Sequence, residues 1–176
     1  MTTQPFLIRL ATVADAAIIA HHRASMFRDM GSARGEQVDQ VLSATRDVLP
    51  GMIERGEYVG WLAAPATDPA RIVSGVGVQR RITQPFPLKC ADGSVRITQG
   101  RQALVVNVFT EAEFRRRGIA RQLMLAMMTW ASTAGVDAVV LHAAPDGRAL
   151  YESLGFVPTN EMRFPGDIAE WRAPVS

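Results

Sequence analysis

Two periodicities alternate along this chain, and the points where one gives way to the other mark the expected elements. Phe6–Leu10 is short and apolar-rich, a strand. Thr12 then stands three residues before Asp15, an acidic variant of the capping box. It opens a helix that should run to about Asp29 and bury Ile18, Ile19, His22 and Met26. Gly31–Gly35 (GSARG) is a loop by composition. From Glu36 a helical period returns through Val38, Val41, Leu42, Thr45, Leu49, Met52 and Ile53, with Pro50 expected to break or restart it.

The second half is built differently. Tyr58–Ala64 and Arg71–Arg80 are rich in β-branched and aromatic residues and bounded by Pro65, Asp68 and Pro69, which predicts two hairpin strands. Residues 83–101 carry Pro85, Pro87, an Asp92–Gly93 turn signal and Gly100, an excursion with room for a small hairpin. Ala103–Thr110 reads as a strand. Gly118 to about Thr133 reads as a helix with Ile119, Leu123, Met127 and Trp130 on one face, stopped at Gly135. Ala138–Ala143 is nearly continuous in apolar residues, the pattern of a strand buried on both faces. Gly147–Leu154 predicts a short helix ending at Gly155, with Phe156–Pro158 and Glu161–Phe164 as closing strands. The order β-α-α-β-β-β-α-β-α-β predicts an α/β fold, a mixed sheet covered by helices, in one domain over residues 1–176.

Composition narrows the function classes. The chain has 176 residues, 48% apolar and 20% charged, enough for a real core and too ordinary for global disorder. Apolar runs such as Ala103–Val106 and Ala138–Leu141 are far too short to span a bilayer, and MTTQPFLIRL lacks the pattern of a signal peptide, so a cytoplasmic protein is expected. A lone cysteine, Cys90 beside Lys89, excludes an internal disulfide. His21 and His22 are adjacent, about 100° apart on a helix, and cannot clamp one metal together; no metal is expected. His142 reads as a packed sheet histidine. The net charge of +2, from 19 basic and 17 acidic residues, argues against a general nucleic-acid binder. The one dense cluster, Arg115, Arg116, Arg117 and Arg121, leaves room for a local anion site.

That cluster lies in Val105-Val-Asn-Val-Phe-Thr-Glu-Ala-Glu-Phe-Arg-Arg-Arg-Gly-Ile-Ala-Arg-Gln-Leu-Met124. A strand runs into an arginine-rich turn, then Gly118, then an apolar helix. The first turn of such a helix carries unpaired N–H groups and the positive end of the dipole. Gly118 admits close backbone approach, and the whole suits a pyrophosphate.

Arg115-x-x-Gly118-x-Ala120 resembles the acyl-CoA pyrophosphate loop of the GNAT superfamily of N-acyltransferases, and Arg148-Ala-Leu-Tyr-Glu-Ser-Leu-Gly-Phe156 resembles its helix–strand signature downstream. The resemblance covers roughly residues 6–164 and implies a partly splayed mixed sheet and acetyl-CoA as co-substrate. It implies that Val108, Phe109 and Thr110 pair with the pantetheine arm, the Val108 amide facing the thioester carbonyl. Backbone amides from Arg116 through Arg117, Gly118, Ile119 and Ala120 to Arg121, introduced by Arg115, would wrap the pyrophosphate. Tyr151 falls where such enzymes place the acid that protonates the departing thiolate, a fitting role for a phenol of pKa ~10. The implied reaction is acetyl transfer to a primary amine by direct attack in a ternary complex.

Two departures bear on this. Ala143-Ala-Pro-Asp-Gly147 stands where many relatives carry an asparagine that contacts the pantetheine, with Asp146 a weak substitute. Where an acidic general base is common, the nearest side chains are Asn107, Glu111 and Glu113; Asn107 can orient an amine or a water but takes no proton. A non-catalytic acyl-CoA sensor or interaction domain on the same fold is the alternative. Expected partners are acetyl-CoA and an amine acceptor whose identity the sequence leaves open, without nucleic acid or membrane; a homodimer is compatible.

Overall fold

A computed structural model describes residues 5–90, 92–159 and 161. The chain divides into two units, Met1–His142 and Ala143–Ser176. In the first, strand β1 (Phe6–Leu10) leads through a short 3-10 turn into helix α1 (Ala16–Asp29), followed by helix α2 (Glu36–Glu54). Strands β2 (Tyr58–Pro65) and β3 (Ser74–Ile82) come next, then β4 (Pro87–Lys89), β5 (Val95–Ile97), β6 (Arg101–Thr110), helix α3 (Ile119–Thr133) and β7 (Ala138–Leu141). Five strands form one sheet in the order β1-β2-β3-β6-β7. Neighbours pair antiparallel except β6 and β7, which are parallel and joined by the α3 crossover. The second unit holds a 3-10 turn at Pro145–Gly147 and a short helix, α4 (Arg148–Ser153).

The Thr12–Asp15 capping box forms: the Thr12 N–H donates to Asp15 Oδ2 at 2.8 Å. Arg9 donates two hydrogen bonds to the same carboxylate and is the main reason its pKa sits at about 2. Every residue of β2 but Val59 is buried, because helices cover both faces of the strand. Leu62 packs with Ile19 and Leu49 of α1 and α2, while Trp61, on the opposite side of the strand, meets Trp130 of α3 edge-on at 5.4 Å. Buried Leu123, Met124 and Met127 supply the rest of the α3 face.

Several expectations are corrected. Pro50 does not break α2, which runs through it. The carbonyl it leaves without a donor belongs to Arg46, an exposed residue open to water, while buried Leu49 and partly buried Met52 and Ile53 hold both sides of the helix in one core. Strand β7 is half-buried along its length rather than fully enclosed, since β6 is its sole partner among the described residues. His142 lies past the end of β7 and is exposed. Phe156–Pro158 forms no strand, and Glu161–Phe164 falls outside the described residues except for Glu161. Segment 83–101 forms a hairpin, β4 against β5, turning at Asp92–Gly93, where Asp92 Oδ1 accepts from the Ser94 N–H at 2.9 Å.

Candidate active site

Strand β6 changes character halfway along. From Gln102 to Val105 it pairs with β3 on one side and β7 on the other. β7 then ends at Leu141, and from Val106 to Thr110 β3 is the one partner among the described residues. The register with β3 slips at the same place: Val106 faces Gly77 and Phe109 faces Gly75, so Asn107 and Val108 together stand opposite Val76. This is a β-bulge. Asn107 has φ 58°, the left-handed backbone that asparagine tolerates better than most side chains. Beyond the bulge the strand is pinned again, by the Ser74 hydroxyl donating to the Phe109 carbonyl at 2.7 Å and the Glu111 N–H donating to the Val73 carbonyl at 2.9 Å.

The Asn107 side chain is buried in a polar cluster. Its Oδ1 accepts from Arg23 of α1 at 2.7 Å, and its Nδ2 donates to the Tyr58 hydroxyl at 3.3 Å. Burial pushes the Tyr58 pKa up to about 12, so it stays a neutral phenol. Gly77 makes room for it: a Cβ there would lie 2.0 Å from the Tyr58 oxygen. Ile19, His22, Tyr58, Leu62, Gly75, Val76 and Asn107 enclose a cavity of about 10 Å³, room for about one water molecule. Neither ring nitrogen of buried His22 has a hydrogen-bond partner among the described residues, and burial drives its pKa down to about 4, leaving it neutral. Its Nε2 lies 3.5 Å from Glu111 Oε1; the His21 Nε2 lies 3.9 Å from the same oxygen. The adjacent histidines thus approach one carboxylate, although no set of three or more His, Cys, Asp or Glu side chains among the described residues is placed to hold a metal.

Past Thr110 the backbone enters the turn to α3. Arg116 (φ 63°) and Gly118 (φ 78°) are both left-handed, the alternation that turns successive N–H groups into an anion-binding concavity. Gly118 is the N-cap of α3, with no side chain capping the first turn, and a Cβ on it would meet nothing within 4 Å. Its glycine is thus demanded by backbone conformation and leaves open space beside free helix-start amides, which fits a pyrophosphate. The arginine side chains divide. Arg115 donates to the Thr110 carbonyl and to Asp29 of α1, and lies over the Phe109 ring. Arg117 donates to the Glu113 carbonyl and lies over Phe114. These two shape the loop, while Arg116 and Arg121 are exposed at its mouth. Ile119 is buried and anchors the helix; Ala120 is half-buried.

In the second unit Tyr151 sits on α4, half-buried, its ring against Phe156 at 6.2 Å and packed over Gly147. Burial raises its pKa, so it carries its proton at neutral pH.

Residues 87–158 match the family model of the acetyltransferase (GNAT) domain. A GCN5-related N-acetyltransferase from Ralstonia eutropha JMP134 superposes with a TM-score of 0.79 at 25% identity, covering 92% of this chain and 98% of that one. The chain has the GNAT fold. Two further GNAT-fold structures set the range of the likeness. A predicted acetyltransferase from Clostridium acetobutylicum, solved with acetyl-CoA, has a TM-score of 0.76 at 20% identity over 96% of this chain and 100% of its own. An aminoglycoside N-acetyltransferase in complex with CoA has a TM-score of 0.62 at 15% identity over 93% and 95%. No curated protein matches the sequence.

Among the GNAT-motif positions, the structure brings Asn107 to Thr110 and Arg115 to Arg121 into one continuous run from bulged strand to helix start. The sequence did not single out Arg23 or Tyr58. Arg23 is one of many surface-type arginines by pattern, and its bond to Asn107 spans 84 residues of chain. Tyr58 left one faint signal, the glycines Gly75 and Gly77 in the facing strand.

Proposed function

We propose that this chain is an N-acetyltransferase that moves an acetyl group from acetyl-CoA to a primary amine by direct attack in a ternary complex. The observation that carries this reading is the open, bulged half of β6 leading directly into an uncapped helix start at Gly118. The strand edge suits the amide-rich pantetheine arm, and the loop suits the pyrophosphate. The amine nitrogen attacks the thioester carbon, the Val108 N–H stabilises the developing oxyanion, and the C–S bond breaks as Tyr151 gives its proton to sulfur. The product amide loses its extra proton to water or to Glu111. Of the three polar candidates, Asn107 is buried in its network and Glu113 is paired with Arg71, whereas Glu111 is partly exposed and has no arginine partner among the described residues.

A binding-only acyl-CoA sensor draws support from Ala143 and Ala144 standing where many relatives carry asparagine. Free-CoA release across an amine panel separates the two. The enzyme reading expects amine-stimulated release that falls roughly ten- to ten-thousand-fold in Tyr151→Phe with acetyl-CoA affinity unchanged. Tight acetyl-CoA binding with no amine-stimulated release would favour the sensor.

A further inference from the structure

Every described arginine of this fold but one is exposed, eight of them paired with acids, and the exception lies beside the bulge. Arg9 pairs with Asp15, Arg28 and Arg115 with Asp29, Arg55 with Glu57, Arg71 with Glu113, Arg96 and Arg101 with Asp137, and Arg148 with Glu152. In each of these pairs the arginine side chain is about half exposed, between 45% and 60%. Arg23 is more deeply buried than these and has no carboxylate partner among the described residues. Its guanidinium lies over the Phe27 ring, 4.9 Å from the centroid, and among the described residues makes one hydrogen bond, to Asn107 Oδ1. Burial lowers its pKa, the sign of a charge held away from water. A partly desolvated guanidinium with most of its fork unused is costly to keep unless something else fills it.

Its position says what that is. Arg23 holds the side chain of the residue immediately before Val108, the amide assigned to the oxyanion. On the acetyltransferase reading, a molecule presenting its amine to a thioester at Val108 brings its neighbouring atoms toward the strand segment that Arg23 holds. We propose that Arg23 is the anchor for a carboxylate on the acceptor, which makes the acetylated amine part of an amino-acid-like molecule. The inference rests on the acetyltransferase reading above and adds the substrate class. One planar fork matches a singly charged carboxylate. A doubly charged phosphate would call for a second free cation, and the neighbouring Arg28 and Arg115 are taken by Asp29. Glu111, with imidazoles rather than arginine beside it, supplies the opposite charge that suits the ammonium end.

The test uses the full chain saturated with CoA and product pairs that differ in one group: N-acetyl amino acids against the corresponding N-acetyl amino-acid amides, read by thermal shift. The acids are expected to raise Tm and the amides to fail. Both Arg23→Gln and Asn107→Asp are expected to erase the difference, the first by removing the anchor and the second by satisfying it from within. In turnover, free amino acids should exceed their amides by roughly ten-fold or more in kcat/KM, mostly through KM, as expected for one charged hydrogen-bonded contact. Acids and amides that behave alike, no shift from any N-acetyl amino acid, or an acid preference that survives in Arg23→Gln would each overturn the proposal. If acetyl-CoA itself produces no shift, the acetyltransferase reading falls, and this inference with it.

Discussion

The two halves of strand β6 carry the same alternation of buried and more exposed residues, yet they do different work. Gln102–Val105 is flanked by partners on both sides and packs as the interior of a sheet. Val106–Thr110 has one partner among the described residues, a bulge, and a buried asparagine in left-handed conformation where the pattern offers an aliphatic residue. The first half satisfies its backbone within the sheet; the second leaves an edge that another chain of amides can use. On the proposed reading, the difference teaches that a ligand edge needs no separate element: ending one neighbouring strand early and buckling the survivor with a single polar residue is enough.

The largest effect expected from breaking that contrast comes from proline. Val108→Pro removes the proposed oxyanion donor at a bulge, where proline is tolerated, and should lower amine-stimulated CoA release by about 10²–10³-fold in a folded chain. Leu104→Pro, in the doubly paired half, should unfold it, as circular dichroism would report. A folded Val108→Pro enzyme with wild-type rate would separate the bulge from the chemistry.

Next comes His22, whose burial belongs to the open half alone. Its pKa is about 4 when folded against an ordinary 6.5, so the unfolded chain binds more protons between those values. Stability is therefore full above about pH 6.5 and falls as pH drops toward 4, by up to roughly 3 kcal/mol. Urea denaturation across that range should show the loss, and His22→Gln should flatten it; identical slopes would remove His22 from the account. Gly77→Ala, which drives a Cβ into the Tyr58 oxygen, should cost about 1–3 kcal/mol, and Tyr58→Phe in the same chain should return only part of it. The smallest expected difference separates two replacements of Asn107. Glycine keeps the left-handed backbone and loses only the side-chain bonds, so Asn107→Ala should be the less stable by about 1 kcal/mol. Equal stabilities would mean that the backbone relaxes out of the bulge.

Much of this was legible in the chain itself. Strand and helix order follow from local periodicity, and the helix start at Gly118 from local residue types that require no knowledge of distant partners. What escaped depends on tertiary neighbours. Nothing local marks Asn107 as left-handed, because the cause is its bond to Arg23 and its place opposite Val76. Pro50 stays within α2 because the core on both sides outweighs one missing hydrogen bond. The apolar run of β7 looked doubly buried, but among the described strands it has no neighbour besides β6.

Amide hydrogen exchange, read residue by residue with and without acetyl-CoA, tests the central claim most directly. The account predicts new protection at Val108–Thr110 and across Arg116–Arg121, with Gln102–Val105 already protected and unchanged. Protection elsewhere in the first unit, or an exchange pattern at Val108 and Gly118 indifferent to acetyl-CoA, would contradict it.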